Sequence, residues 1–81
     1  MRLDKYLKIS RIIKRRTLAK EAAENQKIEI NQKISKPSST VNVDDILTLH
    51  LGSKIIVVKV TSLTLIKDNL MYELLSEEKR P

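Results

Sequence analysis

Apolar residues in residues 1–25 recur at helical spacing, and neither Gly nor Pro interrupts them. Leu3 and Leu7 lie four apart with Tyr6 beside them, so the three share one helix face. Asp4, near the start, suits the positive end of a helix dipole or a salt bridge to Arg16. The register loosens at "ISRII", where Ser10 competes for backbone hydrogen bonds and Ile9, Ile12 and Ile13 are β-branched. The pattern therefore predicts a break there and a second helix from near Thr17. That helix, "TLAKEAAEN", turns Leu18, Ala19, Ala22 and Ala23 to one side and leaves Lys20, Glu21 and Glu24 to water. Its small alanines allow another element to pack closely.

From Lys27 onward the period changes to two. "KIEIN" sets Ile28 and Ile30 on one face and Glu29 on the other, and Asn31–Gln32 falls where a tight turn is wanted before "KIS". A loop at "KPSSTVNVDD" leads to "ILTLHL", with Leu47, Leu49 and Leu51 inward. "GS" makes a hairpin turn into "KIIVVKVTSL", the strongest strand, rich in β-branched residues. "KDN" is expected to turn, "LMYELL" to form a last strand, and "SEEKRP" to fray. Two N-terminal helices packed on a small antiparallel sheet make an α+β domain.

Length and composition narrow the function. A chain of 81 residues buries roughly 60–65% of its unfolded surface, enough for one modest core. It has no cysteine, which excludes disulfides, thiol chemistry and a cysteine-based zinc site. The start is too charged for a signal peptide, and the longest apolar run falls short of the about 20 residues of a membrane helix, so a cytoplasmic protein is expected. The net charge is +6, unevenly placed. Residues 1–36 hold eleven Lys or Arg against four acids, whereas residues 37–81 hold five against six. That asymmetry points to a polyanionic partner, nucleic acid or a membrane surface.

Little else in the chain carries chemistry. His50 is the lone histidine and has no acid beside it in sequence, so a structural or solvated role is expected. Asp44–Asp45 has the character of a turn into a strand rather than a metal site. Ser38 and Ser39 have no plausible base. Neither catalysis, nor a cofactor, nor a metal is expected.

The segments "RLDKYL", "RRTLAKEAA", "KIEIN" and "KPSSTVNVDDI" together resemble the S4 RNA-binding domain family, whose pattern runs RLDxxL, an Arg-led second helix, a Val-x-Val-Asn-Gly hairpin, Lys-Pro-Ser and Gly-Asp. The resemblance covers residues 1–62 as the S4 domain, with residues 63–81 adding a C-terminal strand and tail of the same domain. It is strongest to the small stand-alone members in bacterial ribosome-associated quality control, akin to the small heat-shock S4-domain proteins. The resemblance implies a helix pair on a small bent sheet, docking its basic face on structured RNA. The implied partners are rRNA of the large ribosomal subunit, an obstructed peptidyl-tRNA and an RqcH-type tailing factor on the same particle. The protein would act as a monomer, with no membrane contact, and support C-terminal tailing of stalled chains.

Carried over by position, the family's RNA contacts fall on Arg2, Asp4, Lys5, Arg16, Lys20 and Lys36, with Arg11 and Arg15 beside them. Lys8 joins by spacing, since Arg2, Lys5, Lys8 and Arg11 recur every three residues. Lys36 could equally be ordinary loop charge. The family's usual glycines are replaced by Gln26, Gln32 and Asp44, so strained turns and lower stability are expected there.

Arginine forks grip phosphate with two bonds, and a helix N-terminus adds N–H donors. With Tyr6 and Tyr72 the only aromatics, the chain lacks the stacking platforms of single-strand binders, which favours folded RNA recognised by shape. A DNA-binding helix-turn-helix module is the first alternative, although "TLAKEAAEN" offers Lys and Glu where base readout wants Asn, Gln or Arg. An RNA-targeting subunit of an RNA-modifying enzyme is the second. Membrane-surface binding is disfavoured by the lack of aromatic anchors.

Overall fold

The computed structural model describes residues 1–65 and 69–79. Two helices, α1 (Leu3–Ile9) and α2 (Arg16–Glu24), precede five strands: β1 (Ile28–Ile30), β2 (Lys33–Ile34), β3 (Ile46–Leu51), β4 (Lys54–Val60) and β5 (Tyr72–Lys79). The strands form one antiparallel sheet in the order β2-β1-β3-β4-β5. Leu3, Tyr6 and Leu7 of α1 and Ala19 and Ala23 of α2 pack on Ile28, Leu47, Leu49, Val58 and Val60 of the sheet.

Both helices end on a residue in the left-handed region. After α1, Arg11 has φ 64 and donates its N–H to the Lys8 carbonyl, while Ile13 reaches back to the Leu7 carbonyl. The expected break at "ISRII" is therefore made by Arg11, not by β-branching alone. After α2, Gln26 has φ 60; its N–H reaches Ala23 O and that of Lys27 reaches Ala22 O, the paired closure of a Schellman motif. Gln32 (φ 69) and Asp44 (φ 76) are also left-handed, as expected of positions where glycine is the usual residue. Asn31 (φ 51) joins Gln32 in a two-residue turn with both φ values positive, the hairpin geometry that matches strand twist. Replacing Gln26 by Gly is expected to stabilise the protein by about 1 kcal/mol, raising the melting temperature by about 4–8 °C in a thermal melt.

The first turn of α1 is closed by the 36–41 loop. Ser39 O accepts from Leu3 N at 2.8 Å, Pro37 O accepts from Asp4 N at 3.1 Å, and Val41 N donates to Met1 O at 2.8 Å. These carbonyls satisfy helix-terminal N–H groups, since Arg2 at the N-cap supplies no side-chain bond. The loop that carries Lys36 is thereby fixed beside Arg2.

Two expectations change. Leu18 does not join the buried face: it is 50% exposed, because the buried stripe of α2 is centred on Ala19 and Ala23 and puts Leu18 on its flank. The tail "SEEKRP" is not frayed through Lys79: Ser76, Glu77, Glu78 and Lys79 pair with Val57, Ile56, Ile55 and Lys54. The free edge of the long β4 strand supplies that pairing, past a register shift at Val57/Val58. The "KDN" turn lies partly outside the described residues, at 67 and 68.

Tyr6 ties α1 to the C-terminal segment by donating its hydroxyl to Met71 O at 2.7 Å. Burial, and secondarily Tyr72, pushes its phenol up to about 12. A raised phenol pKa favours the folded state below pH 10, and that contribution is lost as pH rises from there through about 12. Melting temperature should thus fall more steeply above pH 10 in the wild type than in Tyr6→Phe. At neutral pH, Tyr6→Phe should cost only about 1 kcal/mol, because Thr61 N and Ser62 N still serve the Met71 carbonyl.

Candidate nucleic-acid interface

Asp4 sits at the centre of the basic face, with its side chain only 3% exposed. Arg2 donates through Nε to Oδ1 at 3.2 Å and through Nη2 to Oδ2 at 3.1 Å, a two-bond fork. Arg16 Nη2 approaches Oδ1 at 3.6 Å from the start of α2, and Lys5 N–H donates to Oδ1 at 2.8 Å. The two alternatives for Asp4 therefore coincide: it sits in the first turn of α1, and it pairs with Arg16 as well as Arg2. Burial alone would raise its pKa. The Arg2 hydrogen bond, the Lys5 N–H and the charges of Arg2 and Arg16 outweigh that and hold it below 3.8.

The two guanidinium side chains remain about half exposed, at 53% and 52%. One buried carboxylate thus fixes two cations that still face water, the arrangement needed to present forks to phosphate with little ordering left to do. Lys5 and Lys8 are exposed along α1, Arg11 stands on its left-handed backbone, and Arg15 is the N-cap of α2. Lys20, one turn beyond Arg16, is paired at 3.9 Å with Glu24. Lys36 lies on the 36–41 loop, which shares an open cleft with Arg2. Sequence reasoning gave no role to Pro37 and Ser39, which dock the loop through backbone carbonyls, while the Ser39 hydroxyl also accepts from Lys36 N–H at 2.8 Å. It also passed over Lys14, exposed between Arg11 and Arg15, although the run "KRR" marks it.

The start of α2 has no side-chain cap and no acid in its first turn, and two arginines stand there instead. Cations at the positive end of a helix dipole are unfavourable until an anion arrives, so this end is suited to phosphate.

Other polar residues serve packing. Asp45 accepts from Asn42 N–H at 2.8 Å and Asn31 Nδ2 at 3.1 Å, which makes the Asp44–Asp45 stretch a turn that pins the hairpin to β3. Asp44 pairs with Lys59 at 3.6 Å. His50 meets Glu29 at 2.9 Å, an acid that strand pairing brings up from a distance in sequence. Among the described residues, no cluster of three His, Cys, Asp or Glu could hold a metal, and no helix is long and apolar enough to cross a membrane.

Residues 1–47 match the S4 domain family. The RQC P-site tRNA stabilizing factor of Bacillus subtilis (strain 168) is 51% identical over an alignment covering 98% of this chain and 96% of that protein. Its counterpart in Streptococcus pneumoniae is 44% identical, covering 98% and 94%. Heat shock protein 15 of Escherichia coli (strain K12) is a more distant relative, 43% identical across 65% of this chain and 40% of its own. Among solved structures, the trimeric structure of Vibrio cholerae heat shock protein 15 superposes with a TM-score of 0.82 at 26% identity, covering 94% of this chain and 82% of that one.

Proposed function

Because this chain belongs to the S4-domain family of RQC P-site tRNA stabilizing factors, RqcP, we propose that it binds the large ribosomal subunit carrying an obstructed peptidyl-tRNA. It is an RNA-binding factor of ribosome quality control with no catalytic step of its own. The α1–α2 face contacts rRNA and tRNA through Arg2, Lys5, Lys8, Arg11, Arg15, Arg16, Lys20 and Lys36. Asp4 acts from beneath, holding Arg2 and Arg16 in place rather than touching RNA. The observation that carries this reading is the buried Asp4 carboxylate shared by two half-exposed arginines. On the particle the protein works as a monomer in the cytoplasm and supports tailing by an RqcH-type factor.

The relatives' names favour this reading over a DNA-binding module or a subunit of an RNA-modifying enzyme. It is tested by sedimenting the protein with purified large subunits over a salt series. Engagement of roughly five to eight phosphates makes affinity fall by orders of magnitude between 50 and 200 mM salt. A protein that stays in the supernatant at low salt, or prefers duplex DNA in competition, would sink the proposal. Tailing reactions rebuilt with and without the protein test the finer claim: tails of equal length in both would remove it.

A further inference from the structure

Between the C-terminal end of α2 and the 36–38 loop lies an open cleft of about 480 Å³, within the size range of small-ligand sites, roughly 300–1,000 Å³. Its walls are mostly apolar, from Ala23, Ile34 and Pro37, while Arg2 and Lys36 line it with positive charge. Gln26 and Glu24, at the end of α2, supply an amide and a carboxylate. We infer that this cleft receives one unpaired nucleotide of the bound RNA, its phosphate toward Arg2 and Lys36 and its base edge toward Gln26 and Glu24. The inference rests on the RNA-binding reading above and adds a base-reading element to it.

Three observations carry it. First, the lining offers both halves of what a nucleotide needs: cations for the phosphate, and flat apolar surface with hydrogen-bonding groups for the base. Second, Ile34 sits on the edge strand β2 and is 62% exposed, so apolar surface for the face of a base is already present beside the cations. Third, the residue in the left-handed position that closes α2 bears a side chain. Glycine would satisfy that backbone without strain, but it would take an amide away from the cleft. Glu24 only accepts hydrogen bonds when ionised, so it favours adenine, cytosine or guanine, whose exocyclic amine donates, over uracil, whose N3–H is flanked by two carbonyl oxygens that repel a carboxylate.

The test is chemical probing of the pairing edges of A, C and G, with dimethyl sulfate and kethoxal, on large subunits bound by the full chain. Wild type, Gln26→Gly and Ile34→Ser are compared; Gln26→Gly relieves strain and Ile34 is exposed, so both variants should fold. Wild type is expected to protect one unpaired A, C or G. Both variants should lose that protection and bind about 5- to 10-fold more weakly, with the salt slope unchanged because no phosphate contact is removed. Absence of any protected unpaired base, or protection that survives in both variants, overturns the nucleotide cleft while leaving subunit binding standing. Failure of the wild type to bind subunits at low salt brings down the RNA-binding reading and this inference together.

Discussion

Reversing the charge at Arg16 is expected to lower affinity for large ribosomal subunits by roughly 30- to 100-fold near 0.15 M salt. Each phosphate neutralised adds about 0.9 to the slope of log K against log salt, which near 0.15 M corresponds to about fivefold in affinity. Arg16→Glu removes one such contact and sets an anion among the phosphates, so the two effects multiply. The new carboxylate would also face Asp4, where Arg16 Nη2 now lies 3.6 Å from Oδ1, and the arrangement that holds Arg2 suffers too. Arg16→Gln separates these effects. It should weaken binding about fivefold and make the salt slope shallower by about one, and lower the melting temperature by less than Asp4→Asn does, since Arg2 still pairs with Asp4. The measurement is a dissociation constant at four or more salt concentrations for all three proteins. Equal slopes and constants within twofold would show that RNA does not dock on the start of α2.

The parts of this fold that were legible in the sequence are those set by local periodicity. The helical spacing of Leu3, Tyr6 and Leu7 and the alternation of Leu47, Leu49 and Leu51 each report one buried face, and Leu47 and Leu49 are fully buried. The left-handed turns at Gln26, Gln32 and Asp44 were legible only because the family resemblance marks them as glycine positions. Arg11 carries no such mark, and its backbone conformation went unforeseen. Long-range pairing was the other gap. Nothing local in "SEEK" favours a strand, and it is β4, with one edge still unpaired, that recruits it. The approach of Glu29 to His50 likewise depends on the register of β1 against β3.

The candidate site divides in the same way. Charge marked the N-terminal stretch, where eight of the first twenty residues are Lys or Arg, and the family resemblance picked out Arg2, Lys5, Arg16, Lys20 and Lys36 as its contacts. What turns those cations into a surface is non-local. Backbone carbonyls of Pro37 and Ser39 dock the Lys36 loop on α1, and Asp4 gathers Arg2 from its own helix start and Arg16 from the next helix. The α2 terminus and the cleft are visible only once those segments are in place.

Asp4→Asn sets charge against position, and the two predict opposite results. Removing an anion makes the face more positive by one unit, which by counterion release alone should tighten RNA binding about fivefold near 0.15 M salt. Position argues the reverse. Asparagine keeps an oxygen for the Lys5 N–H but cannot hold two guanidinium groups, because it has one acceptor and no charge. Arg2 and Arg16 then recover side-chain freedom and must be ordered again when RNA binds, at about 0.5–1.5 kcal/mol each. Together these losses exceed the charge gain of about 1 kcal/mol, so binding should weaken severalfold while the salt slope stays equal or grows steeper. Stability should fall as well. Breaking a fully buried pair costs about 3–5 kcal/mol, and because both arginines are half exposed a loss of about 2 kcal/mol is expected, near 10 °C in melting temperature. The pH dependence gives an independent check. The lowered pKa of Asp4 stabilises the fold above 3.8, and this contribution is lost as pH falls below that value through the lowered one. The wild type should therefore lose stability over that acid range and Asp4→Asn should lack that component. Tighter binding by Asp4→Asn, with an unchanged acid limb, would reduce Asp4 to a neutralising charge and leave the two arginines without their anchor.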